Sequence, residues 1–505
     1  MPPSPPDFDR RTVSDAMLAA GADGEPALID GNRRYSYGEL RVAAARVAAE
    51  LRDRGVLPGD RIGLVGPNSF FWVAGYLAAM QLGTVVPFLD KAPPADLASQ
   101  ADWVDCSAVL VDRRLLRRYG DCFGDRPVIT DAVLTAPGPG WWPPPGPEAP
   151  SSDAALIFTS GTTAEPKAVR ITHANLLANT RSIVTYLGLG ADDRMLVILP
   201  FHYCYGASLL HTHLAVGGSV VLCNTFAFPQ TAVDLLDREA CTGMAGVPSS
   251  FQLLLRASDF ATHPLPSLRH VQQAGGKLAP SLIERLAGAQ PGSRLFVMYG
   301  QTEATARLSY LPPERLRDKL GSIGRGIPDV ELTVVGEDGG AVAPGDVGEI
   351  MAKGPNISPG YYKDPRATAE KFPGGLLRSG DLATVDVDGF IYIVGRRDDF
   401  IKTWGYRVSG QQVESAVLQL PQVVEAAAVG LPDADAGEAI HLAVRLEPDT
   451  DLTIEQILTH LRQQLPKHAV PSRVHLVDEL PLTANGKVSK QQLRSVVENL
   501  AGELG

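Results

Sequence analysis

Four short segments of this 505-residue chain combine residue types that can do phosphate and carboxylate chemistry. In ALIFTSGTTAEPKAVRITHAN (155–175) an apolar run leads into Thr159, Ser160, Gly161, Thr162 and Thr163, with Lys167 beyond them. Hydroxyls and the N–H groups of a glycine-bearing turn donate to phosphate oxygens, and the lysine adds a point charge. The same string also reads as a plain polar turn between strand and helix. It does not match G-x-x-x-x-G-K-[ST], which argues against a P-loop nucleotide hydrolase. In YGQTEA (299–304), after the apolar LFVM, Tyr299 can stack on a purine and Thr302 can donate to a phosphate. Glu303 can hold Mg2+, a hard cation that prefers carboxylate and phosphate oxygens. A capped helix start accounts for Thr302 and Glu303 almost as well. RSGDL (378–382), followed by Gly395 and Arg396, offers Asp381 as an acceptor for both hydroxyls of a ribose, or else is a surface turn with a salt bridge. PLTANGKVSKQQL (481–493) sets Lys487 after the tight turn Asn485-Gly486, which projects a long cation or leaves an ordinary solvated lysine.

Strands must end at these segments to position them. Short apolar runs recur at 61–66, 84–89, 107–112, 195–200 and 219–224, each beside a helical pattern, which is the signature of a parallel sheet covered on both faces. Ligands of such sheets bind at the carboxyl ends of the strands, where YGQTEA falls. From Tyr37 to Arg54 the spacing of Leu40, Ala44, Val47 and Leu51 predicts a helix that Gly55 stops. The longest apolar stretch, Trp72 to Leu89, is interrupted by Gly75, Gln81, Gly83 and Pro87; it reads as a buried helix and a core strand, not a membrane span. Residues 136–152, APGPGWWPPPGPEAPSS, read as a surface connector. After Gly389 a strand, a charged turn and a hairpin open an alternating α+β stretch that reads as a small separate domain. No repeat of fixed period is present.

Composition narrows the function. The 46 Lys+Arg and 57 Asp+Glu leave a formal charge of −11 without a basic run, so binding to a nucleic-acid backbone is disfavoured. Five cysteines, an odd set with no C-x-x-C, read as reduced thiols of a cytoplasmic protein and not as a disulfide framework or zinc site. MPPSPPDFDRR lacks the apolar core of a secretory signal and reads as a frayed tail. The length suits about three folding units of an enzyme.

The joint occurrence of TSGTT…PK, YGQTE, SGDL, GRRDDFIKTWGYRVS and PLTANGKVSK, in this order, makes the chain resemble over nearly its whole length the superfamily of AMP-forming acid:CoA ligases, adenylation domains and luciferases. The resemblance implies an α/β fold: a large N-terminal domain of layered αβ sub-regions (1–397) and a small mobile α+β C-terminal lid (398–505). It implies attack of a carboxylate on the α-phosphate of ATP, giving an acyl-adenylate and pyrophosphate, and then displacement of AMP by the thiol of CoA or of a carrier-protein phosphopantetheine. By the same resemblance Lys487 is the catalytic lysine, with Glu303 as Mg2+ ligand and Thr302 beside it. Thr159, Ser160, Gly161, Thr162, Thr163, Lys167, Gly275, Tyr299, Gly300, Thr302, Asp381 and Arg396 match nucleotide contacts, Tyr299 as the adenine stack and Asp381 with Arg396 at the ribose. Phe201, His202, Tyr203, Tyr205 and Gly276 match the acid pocket, the four ring residues as an aromatic slot or else, for some of them, as core and a satisfied histidine. Asp398 matches the hinge, and Lys402 with Gly405 the face used for thioester formation.

The chain also departs from the family pattern. Ala164, Ala168 and Gly410 stand where glycine, glycine and proline are usual, and Lys490 where arginine is common. Amino-acid-activating relatives carry an aspartate where this chain has His202, which disfavours an α-amino acid, while FHYCYG is similar to ligases of aryl and fatty acids. His211 and His213 read as helix-packing or surface residues. Resemblance extends to ligases of secondary-metabolite pathways, so a β-amino acid or nitrite stays open as substrate, as does a non-catalytic binding protein of the same fold. The expected partners are a small carboxylic acid and a carrier protein or CoA, with no nucleic acid and no membrane span. Neither the individual acid nor the oligomeric state is legible in the sequence.

Overall fold

The structure, a computed structural model, describes residues 12–136, 152–159, 167–447, 450–481 and 488–502. The first tail residues, most of the Pro/Gly-rich connector, Ser160, Gly161, Thr162, Thr163, Ala164 and Lys487 lie outside them.

The apolar runs form strands as expected, but in two sheets and not one. Arg61–Val65, Thr84–Phe88 and Cys106–Val111 belong to a six-stranded sheet that runs in space from Val128–Thr130 to Lys167–Thr172. Its pairs are parallel except the last, where Asp153–Thr159 meets Lys167–Thr172 antiparallel. Arg194–Val197 and Ser219–Leu222 belong to a nine-stranded sheet with a parallel centre and antiparallel edges, which also holds Gly243–Gly246, His270–Gln273 and Arg294–Tyr299. Local hydrophobicity marks a buried strand without naming its partner, so the division into two sheets is written only in long-range packing.

Between the two sheets lies the main core, where Leu64, Val85 and Ile157 of one sheet share a cluster with Val197, Ala245 and Phe296 of the other. The helices Tyr37–Asp53, Phe70–Leu82 and Cys204–Ala215 fill it. Tyr37–Asp53 starts with a capping box in which Ser36 accepts from the Glu39 N–H and Glu39 accepts from the Ser36 N–H. Phe70–Leu82 is buried at every position, which explains its unbroken apolar sequence; no helix among the described residues is long and apolar enough to cross a membrane. The helices Pro229–Arg238, Pro248–Ala257 and Pro280–Ala289 cover the outer face of the nine-stranded sheet.

Two further sheets follow in the chain. Glu331–Val335, Gly348–Lys353, Leu377–Val385 and Ile391–Arg396 form an antiparallel four-stranded sheet; its last strand is the one expected after Gly389, which belongs here and not to the small unit, and the other three mix buried with exposed residues in place of apolar runs. After the single turn Arg397–Asp399, the hairpin Phe400–Thr403 and Tyr406–Ser409 opens the small α+β unit. Its sheet also holds Val423–Asp433, Gly437–Leu446 and Arg473–Leu476, and its helices are Gly410–Val417, Ile454–Gln464 and Lys490–Gly502. The unit has its own core around Val413, Leu442 and Leu461. It touches the body through the Ser409 hydroxyl, which donates to the Val394 carbonyl (2.8 Å), and the Gln252 amide, which donates to the Val424 carbonyl (3.0 Å).

Candidate active site

The carboxyl end of Arg294–Tyr299 and the antiparallel sheet converge on one carboxylate. Asp381 and Arg396 face each other across the strands Leu377–Val385 and Ile391–Arg396. That register lets Arg396 Nε donate to Asp381 Oδ1 at 3.1 Å, while the Tyr299 hydroxyl donates to Oδ2 at 2.5 Å. Asp381 is only 4% exposed, so SGDL is not a surface turn with a loose salt bridge. Burial, and next the Asp381 charge, hold the Tyr299 phenol well above its ordinary pKa, which keeps it a neutral donor. The Asp381 charge in turn raises Arg396.

The residues after Tyr299 form one 3-10 turn, Thr302–Ala304, and Thr302 does not cap it: the N-cap position is Gln301 and no side chain accepts there. The capped-helix alternative for Thr302 and Glu303 therefore has no counterpart in the fold. Thr302 is buried with its hydroxyl 3.5 Å from Cys204 Sγ. Glu303 Oε1 accepts from the Tyr361 hydroxyl at 2.9 Å, and its backbone carbonyl accepts from the Ser358 N–H. Tyr361 also lies under Lys167, whose Nζ is 5.8 Å from the ring centroid. Thr159 sits opposite Lys167 in the antiparallel register, so these two residues expected at the phosphates reach the Glu303 side of the fold through Tyr361.

Gly300 and Gly275 are placed by close approach. A Cβ on Gly300 would stand 1.9 Å from the Ala306 carbonyl oxygen, and one on Gly275, whose φ is +85°, would stand 2.8 Å from Val247 Cγ1. Gly276 packs on Pro248, and its carbonyl accepts from the Gln273 amide at 2.8 Å. Around the expected acid pocket, Phe201 is core: it is fully buried against Trp72, with its N–H bound to Asn68 Oδ1. His202 has an unpartnered Nε2, and burial lowers its pKa against the opposing charge of Asp90. Tyr205 donates to the Gln272 carbonyl at 2.9 Å, and burial raises the Tyr203 phenol. His211 and His213 are buried, not surface, residues. His213 Nδ1 sits 2.9 Å from the Leu209 carbonyl, and His211 is 3.0 Å from the Tyr76 hydroxyl. His211 also lines a narrow cavity of about 10 Å³ together with Tyr76, Cys204, Ser208, Thr305 and Ala306, hardly the space of one water.

Sequence reasoning missed three neighbours of this site. Tyr361 orients Glu303 from 58 positions away. Lys371, pulled below its ordinary pKa by burial while Glu303 and Asp381 oppose that, donates to the Ser379 carbonyl at 2.9 Å. Arg307, four positions past Glu303, is 1% exposed. Only the last had a signal, a lone charge in the small-residue run ATARLSY. Farther out, Lys402 and Gly405 sit on the hairpin of the small unit, where Trp404 is 60% exposed and Tyr406 stacks on His468 at 3.9 Å. Asp398 falls in the turn between body and small unit. Among the described residues no cluster of three or more His, Cys, Asp or Glu forms a metal cage.

Comparison with known proteins covers nearly the whole chain. Residues 17–362 match the AMP-binding enzyme family and residues 412–487 the AMP-binding enzyme C-terminal domain. The chain is 31% identical over 482 residues to a feruloyl-CoA synthase of Amycolatopsis, covering 93% of this chain and 95% of the relative. It is 30% identical over 484 residues to a 2-succinylbenzoate–CoA ligase of Geobacillus kaustophilus, with the same coverage of 93% and 95%. The solved structure of an O-succinylbenzoate coenzyme A synthetase from Bacillus subtilis, in complex with ATP and magnesium ion, superposes with a TM-score of 0.84 at 27% identity and covers 96% of this chain and 99% of that one.

Proposed function

The chain belongs to the AMP-binding enzyme family, and on that premise we propose how its own residues carry out the reaction of an AMP-forming acid:thiol ligase. ATP and a carboxylic acid give an acyl-adenylate and pyrophosphate, and a thiol then takes the acyl group and releases AMP. The observation that carries the residue assignment is the Tyr299–Asp381–Arg396 constellation, set beside Glu303 at the carboxyl end of a central strand.

An ionised carboxylate has roughly four acceptor positions, and Tyr299 and Arg396 occupy two of Asp381's. The remaining ones accept the two ribose hydroxyls, and the Tyr299 ring offers its face to adenine. Thr159, Ser160, Gly161, Thr162, Thr163 and Lys167 hold the phosphates, with Gly275 and Gly300 allowing backbone approach to the nucleotide. The donor set fits Mg2+, a hard cation that takes carboxylate oxygens: Tyr361 fixes Oε1 of Glu303, and the carboxylate's second oxygen would hold the ion. When bound, the ion neutralises charge on the phosphate oxygens. Two anions must approach for the first step, so Lys487, Lys167 and Lys371 supply positive potential, Lys487 at the reacting carboxylate. Loss of Lys487 as one preorganised donor removes about 3–4 kcal/mol from adenylation. The chain then divides into a body, 1–397, and a lid, 398–505, that turns about Asp398 and presents Lys402 and Gly405 for thioester formation.

The acid is a non-α-amino acid, held by His202, Tyr203, Tyr205 and Gly276. His202 cannot pair with an α-ammonium, and the curated relatives act on aryl and dicarboxylic acids. Those relatives' names support CoA as the acceptor; a carrier-protein phosphopantetheine is the second candidate, and a cytoplasmic location fits both. ATP–pyrophosphate exchange with and without a panel of acids tests the reading. Acid-dependent exchange is expected, and absence of exchange with every acid despite ATP binding would overturn it. Release of AMP from the adenylate by CoA, by a holo-carrier protein or by an amine identifies the acceptor.

A further inference from the structure

Arg307 is a charged residue that the nucleotide reaction leaves unused. It lies between the strands Arg294–Tyr299 and Ser309–Leu311 and is 1% exposed. A guanidinium does not give up its proton on burial, so it needs an opposite charge where it sits. Among the described residues no carboxylate pairs with it, and Nε and Nη2 both lack a hydrogen-bond partner. The residue is nonetheless held in place: its carbonyl accepts from Asn179 Nδ2 (3.0 Å) and Asn356 Nδ2 (2.8 Å), and its guanidinium lies over the Tyr205 ring at 4.7 Å.

The two open donors are informative as a pair. Nε and Nη2 form the edge of the guanidinium that meets both oxygens of a carboxylate side-on. Arg114 uses that same edge on Asp112, with Nε 2.9 Å from Oδ1 and Nη2 2.7 Å from Oδ2. A second unsatisfied group flanks the same tyrosine. Gln272 is 1% exposed, both atoms of its side-chain amide lack partners, and its backbone carbonyl takes the Tyr205 hydroxyl. Tyr203 lies within electrostatic range of Glu303 and Arg396 on the nucleotide side and of Arg307 as well.

We infer that Arg307, assisted by Gln272, holds a second carboxylate of the acid substrate, so that the acid activated here is a dicarboxylate with one end at the α-phosphate of ATP and the other on the guanidinium edge. This rests on the ligase reading above and names its substrate class. A polar site built for one group discriminates strongly against an analogue lacking it, because the site's own buried groups are then left unpaired.

The test uses the full-length enzyme and pyrophosphate release with matched acids: benzoate against its three ring dicarboxylates, and straight-chain monoacids against the α,ω-diacids of equal length. At least one diacid is expected to exceed its matched monoacid by about 100-fold or more in kcat/KM. Arg307→Gln should erase that ratio through KM of the diacid while monoacid turnover and the KM for ATP persist; Arg307→Lys should restore part of it, and Gln272→Leu should reduce it without removing the charge. Melting curves of each variant report folding, and the diacid-to-monoacid ratio is a quantity that mere structural packing does not move. Wild-type turnover confined to monoacids, or an unchanged ratio in a folded Arg307→Gln, would overturn the inference and leave the ligase reading intact. Pyrophosphate release with neither series would remove the ligase reading and the inference together.

Discussion

Replacing Gly300 by alanine puts one methyl group where backbone already stands. The new Cβ would lie 1.9 Å from the Ala306 carbonyl oxygen, 2.8 Å from its carbon and 2.9 Å from Arg307 Cα. None of these is the end of a flexible side chain, so the backbone itself must separate by about 1 Å before the contact becomes tolerable. The loop has little slack: the Leu308 N–H is bound to the Tyr299 carbonyl at 2.9 Å, and the Thr305 hydroxyl donates to the Asn356 carbonyl at 2.7 Å. Thr302 and Glu303 sit inside that loop and shift with it. A displacement of roughly 1 Å at reacting groups lowers rate by about 100-fold, while overpacking of this kind costs about 1–3 kcal/mol of stability. The assay is acid-dependent ATP–pyrophosphate exchange together with a melting curve, with Gly288→Ala as the control, since a Cβ on Gly288 meets nothing within 4 Å. The expected outcome is a folded Gly300→Ala with exchange reduced about 100-fold beside a fully active Gly288→Ala. Exchange in Gly300→Ala within about threefold of wild type would refute the argument that this close approach sets the catalytic geometry.

Three further outcomes are expected. Tyr299→Phe removes a neutral donor to a buried carboxylate and should raise the KM for ATP by about 10-fold with pyrophosphate exchange still measurable, whereas Asp381→Asn should be worse by a further factor of about ten; an unaltered KM in both excludes Asp381 from the ribose. Burial lowers His173 to about 4 and His211 to about 3 from an ordinary 6.5, so the unfolded chain binds the extra protons. Stability present above pH 6.5 is therefore lost as pH falls toward 4, by about 1–2 kcal/mol per histidine at pH 5, and equal denaturant midpoints at pH 7 and pH 5 would contradict this. Lys490 Nζ lies 3.5 Å from Asp399 and 3.3 Å from Glu414; burial pulls its pKa down, but the two carboxylates outweigh that and raise it. Lys490→Met should destabilise the small unit by about 1 kcal/mol, read as an earlier melting transition, and leave pyrophosphate exchange less affected than thioester formation.

Much of this was legible locally. The helix Tyr37–Asp53 and the buried Phe70–Leu82 follow from period and composition, and the small α+β unit from its alternating pattern. The motif order also grouped the expected nucleotide residues, and among those described Tyr299, Asp381 and Arg396 do meet. What stayed hidden depends on tertiary partners. Nothing near Tyr361 or Lys371 in the chain signals that they flank Glu303 and Ser379, because those contacts come from separate strands and loops closing on one another. The burial of Phe201 depends on tertiary partners for a related reason. Phe201 precedes the helix Cys204–Ala215, so no helical phase marks the face it shows; it packs on Trp72, while His211 inside that helix is buried beside Tyr76. Two departures from the family pattern, Gly410 and Lys490, are far apart in sequence yet adjacent in space: a Cβ on Gly410 would be 3.1 Å from the Lys490 ammonium.

Arg396 is the last residue of its strand, and the chain leaves the body for the small unit immediately after it. Asp381, the proposed ribose contact, is therefore one side chain away from the point of departure. In thermodynamic terms the two are linked reciprocally: whatever factor ATP or AMP contributes to favouring one orientation of the small unit, that orientation returns to nucleotide affinity. If the small unit turns as proposed, a covalent tether that holds it in one orientation should tighten whichever nucleotide favours that orientation and weaken one that favours the other, with no alteration to any residue at the nucleotide.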